Sequence, residues 1–501
     1  MLPDPTVHAP SSSSRFVHII SRTSQPSTRR ADVEMIACGC SAILFAMADR
    51  APQSRPGPAV PSYAEVEATL LGRWPETRIE PSLDRIQALC DLLGDPQRSA
   101  PVVHLTGTNG KTSTARMIDA LLRGRGLRTG RFTSPHIESM RERICVDGEP
   151  VSEERFAEVY SEVAPYVEVV DRSGPHPVSF FEFITAMAFA TFADAPVDVI
   201  VLEVGMGGVW DATNVADAAV AVVTPIAVDH SAYLGAEPEV IATEKSGILK
   251  PGTFAVFAQQ LVEVAEVLLR RAVDVEATVA REGLEFGVLE RTTGVGGQMV
   301  TLKGLSGEYS AVFLPLHGAH QAHNAACAVA AVEGLAGGAG IEPDVVRESL
   351  GQADSPARLE VVRRSPTVLL DAAHNPQGAR ATAEAVQEAF AFSPLVGVLG
   401  VMGDKDTVGI LEEFEPVIAT VVCTQNSTHR AMPAEALGEL ARGVFGPDRV
   451  EVVPRLDDAL DRAVGLAEEG GMLGEALGSG GVIVTGSVIT AGEARLLLKV
   501  R

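Results

Sequence analysis

Residues 102–123 read VVHLTGTNGKTSTARMIDALLR, which places a strand, a glycine turn and a helix in immediate succession. The β-branched apolar run Val102–Leu105 predicts a buried strand, and the small polar residues 106–110 predict a turn. Lys111 and Thr112 then open a helical pattern. In such a layout, glycines let backbone N–H groups converge on phosphate oxygens, and the helix N-terminus adds partial positive charge. The stretch therefore predicts a phosphate-binding loop.

The loop departs from the strict pattern G-x-x-x-x-G-K-[ST], because Leu105 occupies the first glycine position. The other features remain, since Lys111 would reach the β- and γ-phosphates and an adjacent hydroxyl could face Mg²⁺. An ordinary glycine-rich turn between strand and helix is the alternative. The flanking strand and helix favour nucleotide binding.

The composition favours a globular protein with small-molecule substrates. The chain has 501 residues, 46% of them hydrophobic, which is enough for two or three domains with buried cores. A net charge of −24 argues against a general nucleic-acid binder, which would need a basic face. A polyanionic substrate stays compatible with this charge if Lys and Arg line its site.

The cysteines and the apolar runs indicate a cytoplasmic chain. The six cysteines are scattered and suggest reduced thiols, and no apolar run is long enough to span a bilayer. The first 60 residues are rich in Ser, Pro and Arg and contain an apolar run at 36–47. Asp32 and Glu34 separate that run from the preceding arginines, which argues against a signal peptide. We expect a disordered extension or a start codon placed too early.

Beyond residue 60 the chain reads as an α/β protein. Helical periodicity covers 62–74 and 82–94, with Ser82 as the expected N-cap of the second helix. Continuous apolar runs at 197–205 and 218–226 are typical of parallel strands covered on both faces. Buried helices are expected at 180–193 and 322–336, and short alternating segments at 280–316.

A second unit follows residues 351–356. Its segments TVLLDAAHNP, LVGVLGVMGDKD, TVVCT and GVIVTGS each run from an apolar strand into a polar or glycine turn. This alternation predicts a smaller, Rossmann-like parallel α/β domain. We therefore expect an extension at 1–60, an ATP-binding domain at 61–354 and a C-terminal domain at 355–501. Because ligands bind at the C-terminal ends of parallel strands, one edge should carry Asp371, His374, Asn375, Asp404, Lys405, Asp406 and Ser487.

Five further positions are candidates for chemistry. Ser134 lies in a short loop with a proline and a histidine, and it could ligate a metal or simply form a turn. Glu203 ends a buried strand, where Mg²⁺ or an ion pair would keep it ionised. His230 ends the next strand as a metal ligand or a core histidine. Lys245 reads by itself as a solvated lysine, and Asp211 in a glycine-rich loop could accept N–H donors from a substrate.

Taken in order, these residues resemble the Mur ligase superfamily of ATP-dependent amide ligases, and in detail its folate branch, the folylpolyglutamate synthase family. The resemblance runs from about residue 61 to the C-terminus. The matched segments are GTNGKTS (107–113), TSPH (133–136), FFEF (180–183), LEVGMGGVWDATN (202–214), VDHSAYLG (228–235), EKSGILK (244–250), His320–Asn324, SPARLEVV (355–362), DAAHNP (371–376), GDKD (403–406), THRAMPAEAL (428–437) and TGSVITAGEAR (485–495).

The resemblance implies an α/β fold with a P-loop, Mur-ligase-like central ATPase domain, a mainly parallel sheet and a smaller C-terminal α/β domain. It implies ATP and two Mg²⁺ ions as cofactors. The implied ATP contacts are Thr108, Asn109, Gly110, Lys111, Thr112, Ser113, Asn324, Arg358 and Asp371. The implied metal ligands are Ser134, Glu203 and His230. The implied acceptor pocket is made by Ser179, Phe180, Phe181, Glu182, Trp210, Asp211 and Ala212.

Three residues receive catalytic roles from the same resemblance. Lys111 neutralises the transferring phosphoryl group, Lys245 matches a carbamylated lysine, and His374 is the candidate contact for incoming glutamate. The chain also departs from the family pattern. Thr112 stands where the family has Gly, and Val209 stands where it has Arg. The second change removes a cation beside the pterin or phosphate site and bears mainly on dihydropteroate activity.

The expected function is an ATP-dependent ligase that adds L-glutamate to folates and to dihydropteroate through an acyl phosphate. We expect a cytoplasmic monomer with small-molecule substrates and no nucleic-acid or membrane partner. Three alternatives remain. A cell-wall amino-acid ligase would need a uridine-binding domain, for which the short stretch before the phosphate loop leaves no room. A P-loop NTPase commonly carries a Walker-B Asp where Glu203 stands, and a catalytically inactive binding protein is the third.

Overall fold

The computed structural model describes residues 60–75, 78, 80–470 and 480–498, and these belong to one compact unit. The extension expected at 1–60 lies outside the described residues as far as Ala59, and this part includes the apolar run 36–47. No helix among the described residues is long and apolar enough to cross a membrane.

An eight-stranded sheet forms the centre of the larger part of the molecule. Its order is β4-β3-β2-β5-β1-β6-β7-β8; β3 and β4 are antiparallel and the other six strands are parallel. The strands are β1 Val102–Thr106, β2 Thr129–Phe132, β3 Ile144–Val146, β4 Glu149–Pro150, β5 Val199–Glu203, β6 Ala218–Val223, β7 Phe254–Phe257 and β8 Thr278–Arg281. The predicted phosphate loop therefore leaves the sheet from a central strand.

Two smaller sheets follow in the chain. The alternating segments predicted at 280–316 form a three-stranded antiparallel sheet of β9 Gly287–Gly294, β10 Gly297–Lys303 and β11 Glu308–Leu314. The last sheet, which we call the second sheet, has the order β12-β13-β17-β14-β15-β16 and is parallel except for the edge strand β12. Its strands are β12 Glu360–Arg364, β13 Thr367–Leu370, β14 Leu395–Leu399, β15 Thr420–Cys423, β16 Val450–Val452 and β17 Gly481–Thr485.

Fifteen α-helices connect and cover these sheets within the described residues. They are α1 Tyr63–Leu71, α2 Asp84–Leu92, α3 Lys111–Gly124, α4 Glu153–Ser173, α5 Phe180–Asp194, α6 Ser231–Leu234, α7 Pro238–Lys245, α8 Val262–Asp274, α9 Ala319–Leu335, α10 Pro343–Gly351, α11 Pro376–Ala389, α12 Thr407–Phe414, α13 Ala434–Phe445, α14 Leu456–Gly470 and α15 Val488–Leu497.

Helices cover both faces of the large sheet, which explains its continuous apolar strands. One buried cluster packs α3 and α9 against β1, β5 and β6, and a second packs α4 and α5 against the same sheet. All five residues of β1 are buried. Burying apolar side chains is the main favourable contribution to such a core, at roughly 25 cal/mol per Å².

The predicted elements exist, with shifted ends. Ser82 is not the N-cap of α2; the N-cap is Leu83, and Ser82 Oγ accepts the N–H of Asp84 at 3.0 Å instead. Helix α9 begins three residues before the predicted 322, at Ala319. The α/β class with two mainly parallel sheets is confirmed, and the expected domain boundary at 354/355 precedes β12 and stays a prediction.

Candidate active site

The phosphate loop leaves the sheet at Thr106 and enters α3 at Lys111. Gly107 has a φ of +143°, and a Cβ there would lie 1.9 Å from Thr224 Oγ1, so only glycine fits against the strand end of β6. The Thr108 N–H donates to Pro225 O at 2.9 Å, and its hydroxyl donates to Ala227 O at 2.9 Å. The loop is therefore held against the segment that follows β6.

Lys111 folds back over its own loop. Its Nζ donates to the carbonyls of Gly107 and Thr108 at 3.1 Å each. These bonds hold the ammonium at the loop, next to the position expected for a phosphate. Burial lowers the pKa of Lys111, while the nearby carboxylates of Glu203 and Asp229 act in the opposite direction.

Glu203 stands at the end of β5, as predicted, and faces the start of α3. The Thr112 hydroxyl contacts both of its oxygens, at 2.9 and 3.0 Å, and the N–H of Ser134 donates to Oε2 at 3.3 Å. Burial raises the pKa of Glu203 to about 7, against the charge of Lys111. A cation at this position would favour the ionised form.

His230 lies beyond β6 and caps the short helix α6. Its φ is +53°, and its N–H donates to Asp229 Oδ1 at 2.7 Å, which holds this left-handed conformation. Burial lowers the pKa of His230 to about 3, so the imidazole is neutral. The described residues contain no group of three or more His, Cys, Asp or Glu side chains that could hold a metal. The predicted set instead combines two such side chains with the hydroxyl of Ser134.

Lys245 is buried at the end of α7 rather than solvated. A Cβ at Gly208 would lie 2.9 Å from Lys245 Cα, so the glycine loop packs directly on this residue. Burial, followed by the charge of Lys111, lowers the pKa of Lys245 to about 7. Much of this amine is therefore uncharged at neutral pH.

Most of the predicted site residues line one cavity of about 100 Å³. It collects the ends of β1, β5 and β6, the end of α7 and the loops of the second sheet. The predicted residues that line it are Thr108, Asn109, Gly110, Lys111, Thr112, Ser113, Ser134, Glu203, His230, Lys245, Arg358 and His374. Strand ends from two sheets thus meet around the phosphate loop.

A second cavity, of about 280 Å³, adjoins the first. Its wall includes the predicted residues Ser179, Phe181, Glu182, Trp210, Asp211 and Ala212. The two cavities share lining residues from both sheets: Ser134, Pro135, Gly205, Met206, His230, His374 and Val488. A ligand in the second cavity would therefore have one end beside the phosphate loop.

Glu182 in the wall of this cavity is neutralised by Arg85, which sequence reasoning did not single out. Arg85 Nε donates to the two Glu182 oxygens at 3.0 and 3.1 Å. Glu182 also accepts the Ser179 N–H at 2.8 Å, in a capping box at the start of α5. Arg85 belongs to α2 and carries no motif, so only the fold brings it here.

Asp211 shapes the glycine loop between β5 and β6. Its carboxylate accepts the N–H of Met206 at 2.9 Å and both the N–H and the hydroxyl of Thr213.

Phe180, also predicted for this pocket, is buried beside the Arg143 guanidinium and is not among the described residues that line the cavity.

Asn324 and Asp371 lie behind the first cavity. Asn324 Oδ1 would be 2.5 Å from a Cβ at Gly110, so its side chain contacts the phosphate loop directly. Asp371 accepts the N–H of Leu359 at 3.0 Å and the hydroxyl of Thr382 at 2.8 Å. It therefore supports the turn that carries Arg358.

The described residues around the second cavity add cations to which the sequence analysis assigned no role. Arg78 stacks over the Trp74 ring at 3.9 Å, and Arg430 donates to Asp404 at 3.0 Å. Lys405, predicted only as a strand-end residue, contacts Asp229. Val209 is 48% exposed and is not among the described residues that line either cavity. The Val209 side chain therefore forms no part of either described wall.

Known proteins share both the sequence pattern and the fold. The Mur ligase middle domain matches residues 176–332, and the Mur ligase glutamate ligase domain matches residues 357–487. A dihydrofolate synthase/folylpolyglutamate synthase of Mycobacterium tuberculosis is 51% identical over 458 residues, which cover 87% of this chain and 94% of the relative.

Solved structures agree with this result. The M. tuberculosis folylpolyglutamate synthase complexed with ADP has a TM-score of 0.85 and 51% identity, covering 88% of this chain and 98% of that one. Escherichia coli FolC in complex with DHPP and ADP has a TM-score of 0.77 and 28% identity, covering 88% and 98%. The chain belongs to the dihydrofolate synthase/folylpolyglutamate synthase family, the ATP-dependent folate–glutamate ligases of the Mur ligase superfamily.

Proposed function

We propose that this chain joins L-glutamate to a carboxylate of tetrahydrofolate and of dihydropteroate, with ATP as the energy source. The observation that carries the proposal is the pair of adjoining cavities, one built on the phosphate loop and one lined by Phe181 and Trp210. An aromatic acceptor in the second cavity would present its carboxylate at the shared residues, next to the γ-phosphate of ATP.

The nucleotide would bind along the start of α3. Backbone N–H groups of residues 110–113 and the ammonium of Lys111 would hold its phosphates. Arg358 in the wall of the same cavity adds a second cation, while Asn324 and Asp371 act from behind the loop and the Arg358 turn. The presence of ADP in two of the related structures supports this arrangement.

The residues fit a divalent cation. The Ser134 hydroxyl, the buried Glu203 carboxylate and the neutral His230 imidazole offer two oxygens and one nitrogen to Mg²⁺. When bound, such ions neutralise the negative charge that develops on the transferring phosphoryl group. We propose two ions, the second beside Lys245.

Lys245 is suited to carry the carbamate that the family resemblance implies. Its amine, with a pKa of about 7, would add to CO₂ by forming an N–C bond and releasing one proton. The product is a carboxylate at the end of a long side chain, which adds a negative oxygen ligand to the cavity. A free, charged ammonium would instead repel the second ion.

The reaction proceeds in two steps. A carboxylate oxygen of the acceptor attacks the γ-phosphorus, the bond between that phosphorus and the β–γ bridging oxygen breaks, and ADP leaves. The uncharged amine of glutamate then attacks the acyl carbon, phosphate departs with the former carboxylate oxygen, and the amine loses a proton. Lys111 stabilises the charge of the first step, and alignment of the three reactants supplies much of the rate.

The second sheet would supply the amine substrate. His374, Lys405 and Arg430 line the second cavity, and glutamate brings two carboxylates that cationic groups can bind. We propose that residues 61–354 hold ATP and acceptor and that residues 355–501 bring glutamate, so that domain closure gates turnover. We propose that the protein acts as a monomer on small molecules in the cytoplasm, without a nucleic-acid or membrane partner.

The proposal is tested by measuring ADP release from purified protein with dihydropteroate or tetrahydrofolate, each with and without L-glutamate. Glutamate-dependent release is expected with both acceptors. Absence of glutamate-dependent release with either acceptor would contradict the ligase proposal. Glutamate-dependent release with tetrahydrofolate but not with dihydropteroate would contradict only the proposed activity on dihydropteroate.

A further inference from the structure

Asp229 lies between the two sheets, and its carboxylate contacts three side chains from the second sheet. Asn375 Nδ2 donates to its Oδ2 at 3.1 Å, His374 Nε2 lies 3.4 Å from the same oxygen, and Lys405 Nζ contacts Oδ1. Asp229 is 8% exposed, and the side chain of Lys405 is equally buried. The carboxylate thus gathers two adjacent residues after β13 and a third one after β14.

Asn375 extends the contact to the phosphate loop. Its amide exchanges two hydrogen bonds with the Asn109 amide, at 3.1 and 3.2 Å, while its Oδ1 also caps α11 through the N–H of Gly378. The phosphate loop is itself bonded to Pro225 and Ala227, just before Asp229. Three loops from both sheets therefore meet at one carboxylate.

We propose that Asp229 is a positioning residue that latches the second sheet over the cleft and aligns the amine substrate with the acyl phosphate. It rests on the proposed function, because His374 and Lys405 are the groups assigned there to glutamate. A buried carboxylate bonded to a lysine and an amide is costly to separate, so the contact favours one closed arrangement. The same carboxylate accepts the backbone N–H of His230. It therefore connects the closed arrangement to the cavity that contains the phosphate loop.

The latch can be broken from either side. Asp229→Asn removes the charge that attracts Lys405 while keeping the side-chain shape. Asn375→Asp keeps the cap of α11, because Asp is also a favourable N-cap, but it sets two carboxylates against each other. Glu388→Gln is the matched control, since it weakens the ion pair Arg291–Glu388, whose two residues come from the two parts and line neither cavity.

The experiment compares four proteins in steady-state kinetics, in ADP binding with Mg²⁺, and in small-angle scattering with and without ADP plus acceptor. Both latch variants should raise the KM for glutamate at least about tenfold, and Asp229→Asn should change ADP affinity by less than about threefold. Both should also keep a larger radius of gyration than the wild type with ligands bound. Glu388→Gln should match the wild type in all three measurements.

Two results would overturn the latch. One is weakened ADP binding in Asp229→Asn with an unchanged KM for glutamate. In that case Asp229 would support only the binding of nucleotide and metal. The other is wild-type behaviour of Asn375→Asp. Failure of the wild type to release ADP in response to glutamate would instead contradict the proposed function, and scattering would still report on closure.

Discussion

At the scale of single residues, the cleft is defined by charges that are buried before any ligand arrives. Lys111, Glu203 and Lys245 all line the smaller cavity, and burial shifts the pKa of each toward its neutral form. Such groups cost folding free energy unless a ligand compensates them, which is typical of functional sites. The sequence motifs predicted these three residues, but the burial of Lys245 contradicts its reading as a solvated lysine.

Replacing Lys111 by alanine should abolish catalysis without unfolding the protein. Among the described residues its ammonium bonds to two carbonyls of its own loop, so little packing is lost. We expect kcat to fall by at least about a thousandfold, because the Lys111 ammonium stabilises the phosphoryl group during its transfer. The check is ADP release together with thermal unfolding, with Lys303→Ala on the antiparallel sheet as control. Near-wild-type rates would contradict the phosphate-loop assignment.

Restoring the family arginine at position 209 should change little. Val209 is 48% exposed and the described lining of both cavities excludes it, so Val209→Arg adds a cation to the surface. The expected effect on the KM for dihydropteroate is less than about threefold, as for other surface substitutions. Steady-state kinetics with both acceptors measures it. A tenfold gain for dihydropteroate would place this side chain near the pterin.

At the scale of elements, periodicity and strand-end motifs predicted most of the architecture. Continuous apolar runs identified β5 and β6, and the buried helix α5 covers almost the predicted range. Local sequence could not predict that α2 brings Arg85 to Glu182, because that contact depends on how α2 packs across α5. It also could not predict the antiparallel pairing of β9, β10 and β11, since register depends on the partner strand.

The contact between α9 and the end of β8 should make stability depend on pH. A hydrogen bond from His323 to Glu282 raises the pKa of His323 above its ordinary value of 6.5, with burial acting in the opposite direction. The stabilisation is therefore complete below about pH 6.5 and is lost as pH rises through the higher folded-state pKa. His323 is 45% exposed, so solvent screening limits the effect to below about 1 kcal/mol.

Urea unfolding of the wild type and His323→Gln at pH 6 and pH 9 tests this contact. The difference in unfolding free energy should be present at pH 6 and should shrink toward zero at pH 9. His429→Gln, in the loop after β15, provides a histidine control that should show no such trend. A larger destabilisation at pH 9 than at pH 6 would contradict the assignment.

At the scale of the whole molecule, function depends on two sheets whose strand ends face one cleft. The sequence predicted both sheets and most residues at their edges, because C-terminal strand ends carry ligand contacts. It could not predict that Asp229 from one part would bond to His374, Asn375 and Lys405 from the other. Contacts of that kind follow from the relative position of the two parts, which no local pattern encodes.

In the proposed reaction the acceptor carboxylate is phosphorylated before glutamate attacks. This order of steps is tested most directly with tetrahydrofolate labelled with ¹⁸O in the reacting carboxylate, by mass spectrometry of the phosphate released during glutamate-dependent turnover. We predict that each phosphate carries one oxygen from the carboxylate, because that oxygen bonds to phosphorus and then leaves the acyl carbon. Release of unlabelled phosphate during amide formation would contradict the account.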